Sequence, residues 1–178
     1  MNPPLRQRLA QQADLPALRT LMARAIGELQ QPFLSPPQIA ASRQLMGLDT
    51  QLVDDGTYFV VERGDALAGC GGWSRRATLY GGDQTPGRSL ALLDPTRDAA
   101  RVRAMYTHPD YVRRGVGRLI LGLCEQAARA EGYTRVELMA TLAGEPLYRA
   151  AGYVLVEAVI DGRGGADVPL RLMTKTLV

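Results

Sequence analysis

Residues 106–127, YTHPDYVRRGVGRLILGLCEQA, are the stretch whose reading decides the fold. They run as the end of a strand, a proline break, an arginine-glycine turn and a long amphipathic helix. Pro109 cannot donate to a sheet ladder, so the strand stops before it. Gly115 and Gly117 fall where a strand-to-helix turn needs backbone clear of side chains. Such a turn aims several N–H groups and a helix N-terminus at one spot, which makes an anion site. Arg113, Arg114 and Arg118 surround that spot with fixed positive charge. The guest it suits is a pyrophosphate.

Downstream, Val116, Leu119, Ile120, Leu123 and Ala127 form one apolar stripe, and Gly132 ends the helix. Residues 134–140 alternate as a strand, with Val136, Leu138 and Ala140 on one face and Glu137 and Met139 on the other. A short helix over 145–151 closes at Gly152. Two further strands follow, YVLVEAVI and the tail VPLRLMTKTLV.

Upstream, residues 99–107 are the strand that feeds the turn. Residues 5–10 predict a short strand, and Asp14 caps a helix carrying Leu15, Leu18, Met22, Ala25 and Leu29. Ser35-Pro36-Pro37 opens a second helix that runs to about Met46. YFVVER and ALAGCGGWS, joined at Gly64-Asp65, read as a β-hairpin. Residues 75–98, broken by Gly81-Gly82, Pro86-Gly87 and Asp94-Pro95, predict a long loop or open hairpin, of a length often given to function. The order β-α-α-β-β-β-α-β-α-β-β argues a mixed α/β sheet rather than a doubly wound one.

The chain of 178 residues predicts a single domain spanning 1–178. Hydrophobic residues at 46% and charged ones at 22% fit a globular protein with an ordinary core. No apolar run approaches the roughly 18 to 20 residues of a membrane span, and MNPPLRQRLAQQAD lacks the apolar core of a signal peptide. A cytoplasmic location without membrane contact is expected. Cys70 and Cys124 lie far apart and outside any metal-type spacing, which predicts buried free thiols in a reducing compartment. The net charge is +3, and Lys175 is the one lysine, so the positive charge is almost all arginine. Arginine forks suit phosphate and carboxylate. A dense basic stripe interleaved with aromatics is missing and aromatic content is 6%, so nucleic acid is not the expected partner.

The turn is not a Walker A loop, since no Gly-Lys-Ser/Thr follows. Nor is it a dinucleotide fingerprint, which needs a third glycine and an acid at the ribose distance. HPDYVRRGVGRLIL followed by PLYRAAGY instead resembles the GNAT superfamily of acyl-coenzyme A-dependent N-acetyltransferases, over nearly the whole chain. The family pattern Arg/Gln-x-x-Gly-x-Gly/Ala falls on Val112, Arg113, Arg114, Gly115, Val116 and Gly117, with valine at its first position. The family grips pyrophosphate there mainly through backbone N–H groups, so the valine is tolerated. LYRAAGY matches the aromatic-Tyr-x-x-x-Gly-aromatic segment, with Leu147 in place of the common phenylalanine.

The resemblance implies a mostly antiparallel central sheet with splayed fourth and fifth strands, flanked by about four helices. It implies acetyl-coenzyme A as co-substrate, no metal, and transfer of the acetyl group to a primary amine of a small molecule or peptide by direct attack. The pantetheine arm would lie in the splay, paired with backbone groups of Met105 and Thr107 beside Tyr106, and the Met105 N–H would hold the oxyanion. Arg118 joins the residues of the turn that hold the coenzyme. Tyr148 matches the tyrosine that protonates the departing thiolate.

The carboxylate often used as base on the fourth strand is absent, since the matching face carries Arg101 and Arg103. Glu137 is a replacement candidate, with a surface ion pair as its other reading. His108, before a proline, reads as a turn residue more readily than as a base. Trp73, Arg75, Tyr80 and Asp83 are candidates for the acceptor side, though Trp73 also suits a core. A homodimer through the late strands is compatible with the resemblance. A coenzyme A-binding sensor without turnover is the alternative, and O-acylation or a longer acyl chain also stays open.

Overall fold

The computed structural model describes residues 3–178. Its elements follow the chain as β1 (Leu5–Leu9), α1 (Leu15–Leu29), α2 (Pro36–Leu45), α3 (Thr50–Asp54), β2 (Tyr58–Arg63), β3 (Ala66–Ser74), β4 (Ala100–Thr107), α4 (Val116–Ala130), β5 (Arg135–Thr141), α5 (Glu145–Ala150), β6 (Val154–Asp161) and β7 (Val168–Thr176). The seven strands form one sheet in the order β1-β2-β3-β4-β5-β7-β6. Every junction is antiparallel except β4–β5, which is parallel. There are five helices among the described residues, one more than about four. The addition is α3, whose first turn is capped by the Asp49 carboxylate accepting from the Gln51 N–H at 3.1 Å.

The helices divide between the two faces by the periodicity of their apolar residues. α4 buries Val116, Ile120, Leu121, Cys124 and Ala128, a stripe at helical spacing, against Val61, Ala68, Val102, Val136 and Leu138 of the sheet. Gly69 on β3 lets α4 approach closely, because a Cβ there would overlap Val116 Cγ1. α5 joins the same face through Tyr148. On the opposite face α1 and α3 pack Leu18, Leu21, Met22, Leu52 and Val53 against Tyr58, Val60 and Cys70. α2 sets Ala41 and Leu45 against Val168 and Leu170 of β7. Burying one such leucine contributes about 1.5–3 kcal/mol.

Local signals explain most element boundaries. α2 starts with a capping box, in which Ser35 Oγ accepts from the Gln38 N–H and Gln38 Oε1 accepts from the Ser35 N–H. Asp14 does not cap α1 as expected. A single 3₁₀ turn over Gln12–Asp14 precedes that helix. The Asp14 carboxylate takes the Gln11 N–H at 2.7 Å and pairs with Arg8 at 2.8 Å. Cys70 and Cys124 are buried and unpaired, and burial pushes the Cys70 thiol up to about 12.

β4 and β5 pair only at Ala100↔Val136 and Arg101↔Glu137. Beyond those two rungs the strands part, so residues 102–107 and 138–141 face an open fork. β6 is an outer strand and exposes Val154, Leu155, Val156 and Ile160. No helix among the described residues is long and apolar enough to cross a membrane.

Candidate active site

The fork begins where β4 is bent. Cys70 pairs with Tyr106 and Gly72 with Arg103, so two steps along β3 span three along β4. The extra residue makes a β-bulge, and Ala104 sits in the left-handed region at φ 49°. Tyr58, 1% exposed, donates its hydroxyl to the Ala104 carbonyl at 2.7 Å and fixes the bend. Past the bulge, Met105 turns toward the α4 face and Tyr106 toward the α1 face. Met105, Tyr106 and Thr107 thus sit at the edge of the open fork.

The strand ends in His108, whose Nδ1 accepts from the Asp110 N–H at 3.1 Å, and His108 Nε2 lies 3.1 Å from Arg24 Nη1. The histidine is therefore part of a turn. Arg113 at φ 61° and Gly115 at φ 82° carry the chain round into α4. The first N–H groups of α4 have no partner within the helix, and Gly115 offers no side-chain cap. Val112, Arg113, Arg114 and Gly115 are exposed, and Arg118 lies one turn into the helix, also exposed. The Arg114 guanidinium lies 5.7 Å over the Tyr111 ring, which orients it. Among the described residues none of Arg113, Arg114 and Arg118 forms an ion pair, unlike Arg75, Arg76, Arg101 and Arg103. The turn can hold a multiply charged anion.

Gly117 ties this turn to two other elements. A Cβ there would come within 2.8 Å of Leu147 Cδ2 on α5 and 3.8 Å of Thr107 Oγ1 on β4. The strand end, the helix start and α5 meet at that point. Tyr148, next to Leu147, is 9% exposed and packs edge-on to Tyr153 at 5.8 Å. Its hydroxyl has no hydrogen-bond partner among the described residues, and burial pushes the phenol well above its ordinary value. A phenol in that state keeps its proton at neutral pH.

Two cavities open on the α1–α2 side. The smaller, about 70 Å³, reaches the fork and is lined by Tyr80, Arg103, Ala104, Met105, Tyr106, Met139 and Thr141 among others. The larger, about 370 Å³, lies between α1, α2 and residues 83–84. Met46 and Gly47 line both. The Gly47 N–H donates to the Tyr106 hydroxyl at 3.0 Å, so this glycine is a sill between the two.

The long loop, residues 75–98, supplies the outer wall. Gln84 Nε2 donates to the Met46 carbonyl at 2.8 Å, and Arg103 Nη2 donates to the Gly81 carbonyl at 2.7 Å. Tyr80 donates to Asp161 at 2.7 Å, and Arg163 grips the same carboxylate at 2.7 Å. Asp83 lines the larger cavity, its carboxylate accepting from Thr50 N–H and Oγ1 at 3.0 and 3.1 Å.

Other sequence candidates fall elsewhere. Trp73 and Arg75 are not brought to either cavity. Trp73 is 2% exposed in the α4-side core, edge-on to Tyr133 at 6.0 Å. Arg75 stacks 5.1 Å over the Trp73 ring and pairs with Glu131 at 2.5 Å. Glu137 shares a face with Met139 but lies at the closed end of the fork, where Arg101 holds its carboxylate at 2.5 Å. Sequence reading passed over Arg19, Arg43, Met46 and Gly47. A glycine inside the α1 pattern, Gly27, was the one signal of a close approach there.

Comparison with known proteins bears on the family and the fold. Residues 22–153 match the Acetyltransferase (GNAT) family. No curated protein matches the chain by sequence. Among solved structures, the chain is similar to a GCN5-related N-acetyltransferase from Rhodopseudomonas palustris, with 20% identity, TM-score 0.70 and 99% and 97% of the two chains covered. It is also similar to the PaiA N-acetyltransferase from Thermoplasma acidophilum in complex with coenzyme A, with 12% identity, TM-score 0.67 and 97% and 99% covered. The ribosomal-protein-alanine N-acetyltransferase from Brucella melitensis is another, at 19% identity, TM-score 0.63 and 97% and 99% covered. These likenesses carry the fold, and the family match spans well over half of the sequence: the chain belongs to the GNAT acetyltransferase family and is an acyltransferase.

Proposed function

We propose that the protein transfers an acetyl group from acetyl-coenzyme A to a primary amine by direct attack. The observation that carries this reading is the fork: two rungs of parallel pairing, then open strand edges that run to the uncapped start of α4. The pyrophosphate would rest on the N–H groups of residues 115–118 with Arg113, Arg114 and Arg118 around it. The pantetheine arm would pair with the free edge of β4 at Met105 and Thr107. The thioester would then reach the bulge, where the Met105 N–H can hold the carbonyl oxygen as it gains charge.

In that placement the amine nitrogen attacks the thioester carbon. A C–N bond forms, and the C–S bond breaks as the tetrahedral centre collapses. Tyr148 gives its proton to the leaving sulfur and regains one from the nitrogen that has just been acylated. The ammonium proton lost before attack goes to water. Among the described residues Asp83 is the one carboxylate lining either cavity, and Arg103 occupies the strand that would carry a base. Glu137, held by Arg101, is left as a structural ion pair in this reading.

Thiol release from acetyl-coenzyme A with a panel of amines tests the proposal. Release that depends on amine and falls in Tyr148→Phe supports it. Tight coenzyme binding without release from any amine would leave the sensor reading instead. A homodimer, compatible with the resemblance, would have β6 as its natural seam, an outer strand with an apolar surface. Sedimentation at two concentrations decides it.

A further inference from the structure

The larger cavity is unusual in its charge. Arg19 on α1 and Arg43 on α2 both line it, over a floor of Met22, Ile26, Met46 and Leu48. Most arginines near the fork are paired: Arg103 with Asp49, Arg88 with Asp49 and Asp83, Arg101 with Glu137, Arg76 with Asp55. Neither Arg19 nor Arg43 has a carboxylate partner among the described residues. Asp83, the one acid in the lining, is engaged by Thr50 and lies 3.7 Å from Arg88. The cavity therefore holds an excess of positive charge with hydrogen-bond donors to spare.

Arg43 is also positioned. Its Nη1 donates to the Ala23 carbonyl at 3.2 Å. A Cβ on Gly27 would overlap its Nη2, so in this arrangement the guanidinium rests against the bare backbone of α1. Glycine inside a helix costs about 1 kcal/mol relative to alanine, and here it admits a cation to the α1 surface. From this cavity the route to the fork crosses Gly47, whose N–H is committed to Tyr106. A volume of about 370 Å³ suits a small molecule or the end of a peptide.

We propose that the acceptor is an amine that carries an anionic group, carboxylate or phosphate, which Arg19 and Arg43 receive in the α1–α2 cavity while the amine passes Gly47 toward Met105. This inference rests on the reading of the protein as an acetyl-coenzyme A-dependent N-acetyltransferase and names the substrate class of that site. The anion fixes one end of the acceptor by charge-assisted hydrogen bonds. The apolar floor covers the stem between the two ends. A second cation on the acceptor would meet repulsion at the same place.

The test is thiol release from acetyl-coenzyme A with matched amines. γ-Aminobutyrate and ε-aminocaproate carry a carboxylate, ethanolamine phosphate carries a phosphate, butylamine and hexylamine carry neither, and putrescine carries a second cation. The expected result is a kcat/KM for an anionic amine at least about ten-fold above its alkylamine match, with putrescine poorest. Whether the carboxylates or the phosphate lead identifies the anion. In Arg19→Gln and Arg43→Gln the preference for the anionic amine over its match shrinks several-fold, through KM. In Arg19→Glu it moves toward putrescine. Both positions are exposed, so the substitutions leave the core untouched.

Equal use of the amines, a preference for putrescine, or a preference that survives in both glutamine variants overturns the inference. Calorimetry with acetyl-coenzyme A separates the two levels. Binding of acetyl-coenzyme A while every anionic amine stays unreactive overturns the acceptor class alone. Absence of that binding removes the proposed function and this inference with it.

Discussion

Arg103 on β4 and Asp49 at the head of α3 meet at 2.8 Å, Nη2 to Oδ2, with side chains only 2% and 3% exposed. The same guanidinium donates to the carbonyls of Thr78 at 3.3 Å and Gly81 at 2.7 Å. One buried cation thus joins the sheet, the α2–α3 corner and the wall of the smaller cavity. Where the resemblance led us to look for a base, the chain has an anchor. Burial lowers the Arg103 pKa and Asp49 opposes that shift, which is the balance expected of a paired ion out of water.

The pair makes Asp49→Asn severe. It leaves Arg103 without its counter-charge, and Arg88, 2.9 Å from Asp49, with Asp83 alone at 3.7 Å. We expect a loss of about 3–5 kcal/mol, read as a shift of the urea midpoint at unchanged slope. A cost below about 1 kcal/mol would mean that water reaches the pair.

Tyr148→Phe separates chemistry from binding. The ring still packs against Tyr153, while the proton donor is gone. We expect kcat to fall about 10²–10⁴-fold with acetyl-coenzyme A affinity changed less than about three-fold. Because burial raises the phenol pKa, Tyr148 stays protonated through neutral pH. The wild-type rate therefore has no descending limb from this group below about pH 10, its ordinary value. A descending limb near pH 8 that vanishes in the phenylalanine variant would contradict this assignment.

The path of the chain was open to reading because its punctuation is local. Pro109, Gly115, Gly132 and Gly152 end or start elements within a few residues of where they act, and the α4 stripe spans four turns. α3 escaped notice because five residues, TQLVD, are too few to show a period. Ala104 gave no sign of its positive φ, since the residue there is not a glycine. Trp73 followed by Arg75 reads alike whether the pair faces a cavity or a core, and only the sheet register assigns Trp73 to the α4 side. The Arg103–Asp49 pair joins residues 54 apart in sequence, and so does nothing that a pattern can detect. The proposed acceptor side is assembled from such distant contacts, whereas the proposed coenzyme side is one continuous stretch.

That continuous stretch makes a quantitative prediction about salt. Arg113, Arg114 and Arg118 have no ion-pair partner to lose among the described residues, so their charge is available to an anionic ligand. Arg114→Gln and Arg118→Gln should each weaken acetyl-coenzyme A binding about three- to ten-fold at low ionic strength, and less at 0.5 M salt. Titration calorimetry at two salt concentrations checks it. Equal losses at both concentrations would point to displaced backbone rather than charge.

Acid should loosen the acceptor wall through Asp161. Its carboxylate, 5% exposed, accepts from Tyr80 and from Arg163, and the Arg163 guanidinium foremost holds its pKa down to about 2. The folded value lies below the unfolded one, about 3.9. Its contribution is therefore complete above the unfolded value, and it is lost as pH falls from about 4 through about 2. Arg163 is 43% exposed, so solvent screening discounts the pair to about 1–2 kcal/mol. Asp161→Asn should lower Tm by about 3–6 °C at pH 7, and the difference should close by about pH 2. Because Arg163 also donates to the Pro86 carbonyl at 3.1 Å and Tyr80 lines the smaller cavity, the variant should raise the acceptor KM. Affinity for acetyl-coenzyme A, which the proposed placement sets at the α4 end of the fork, should hold, and a parallel loss of both would mean that the wall and the α4 turn move as one body.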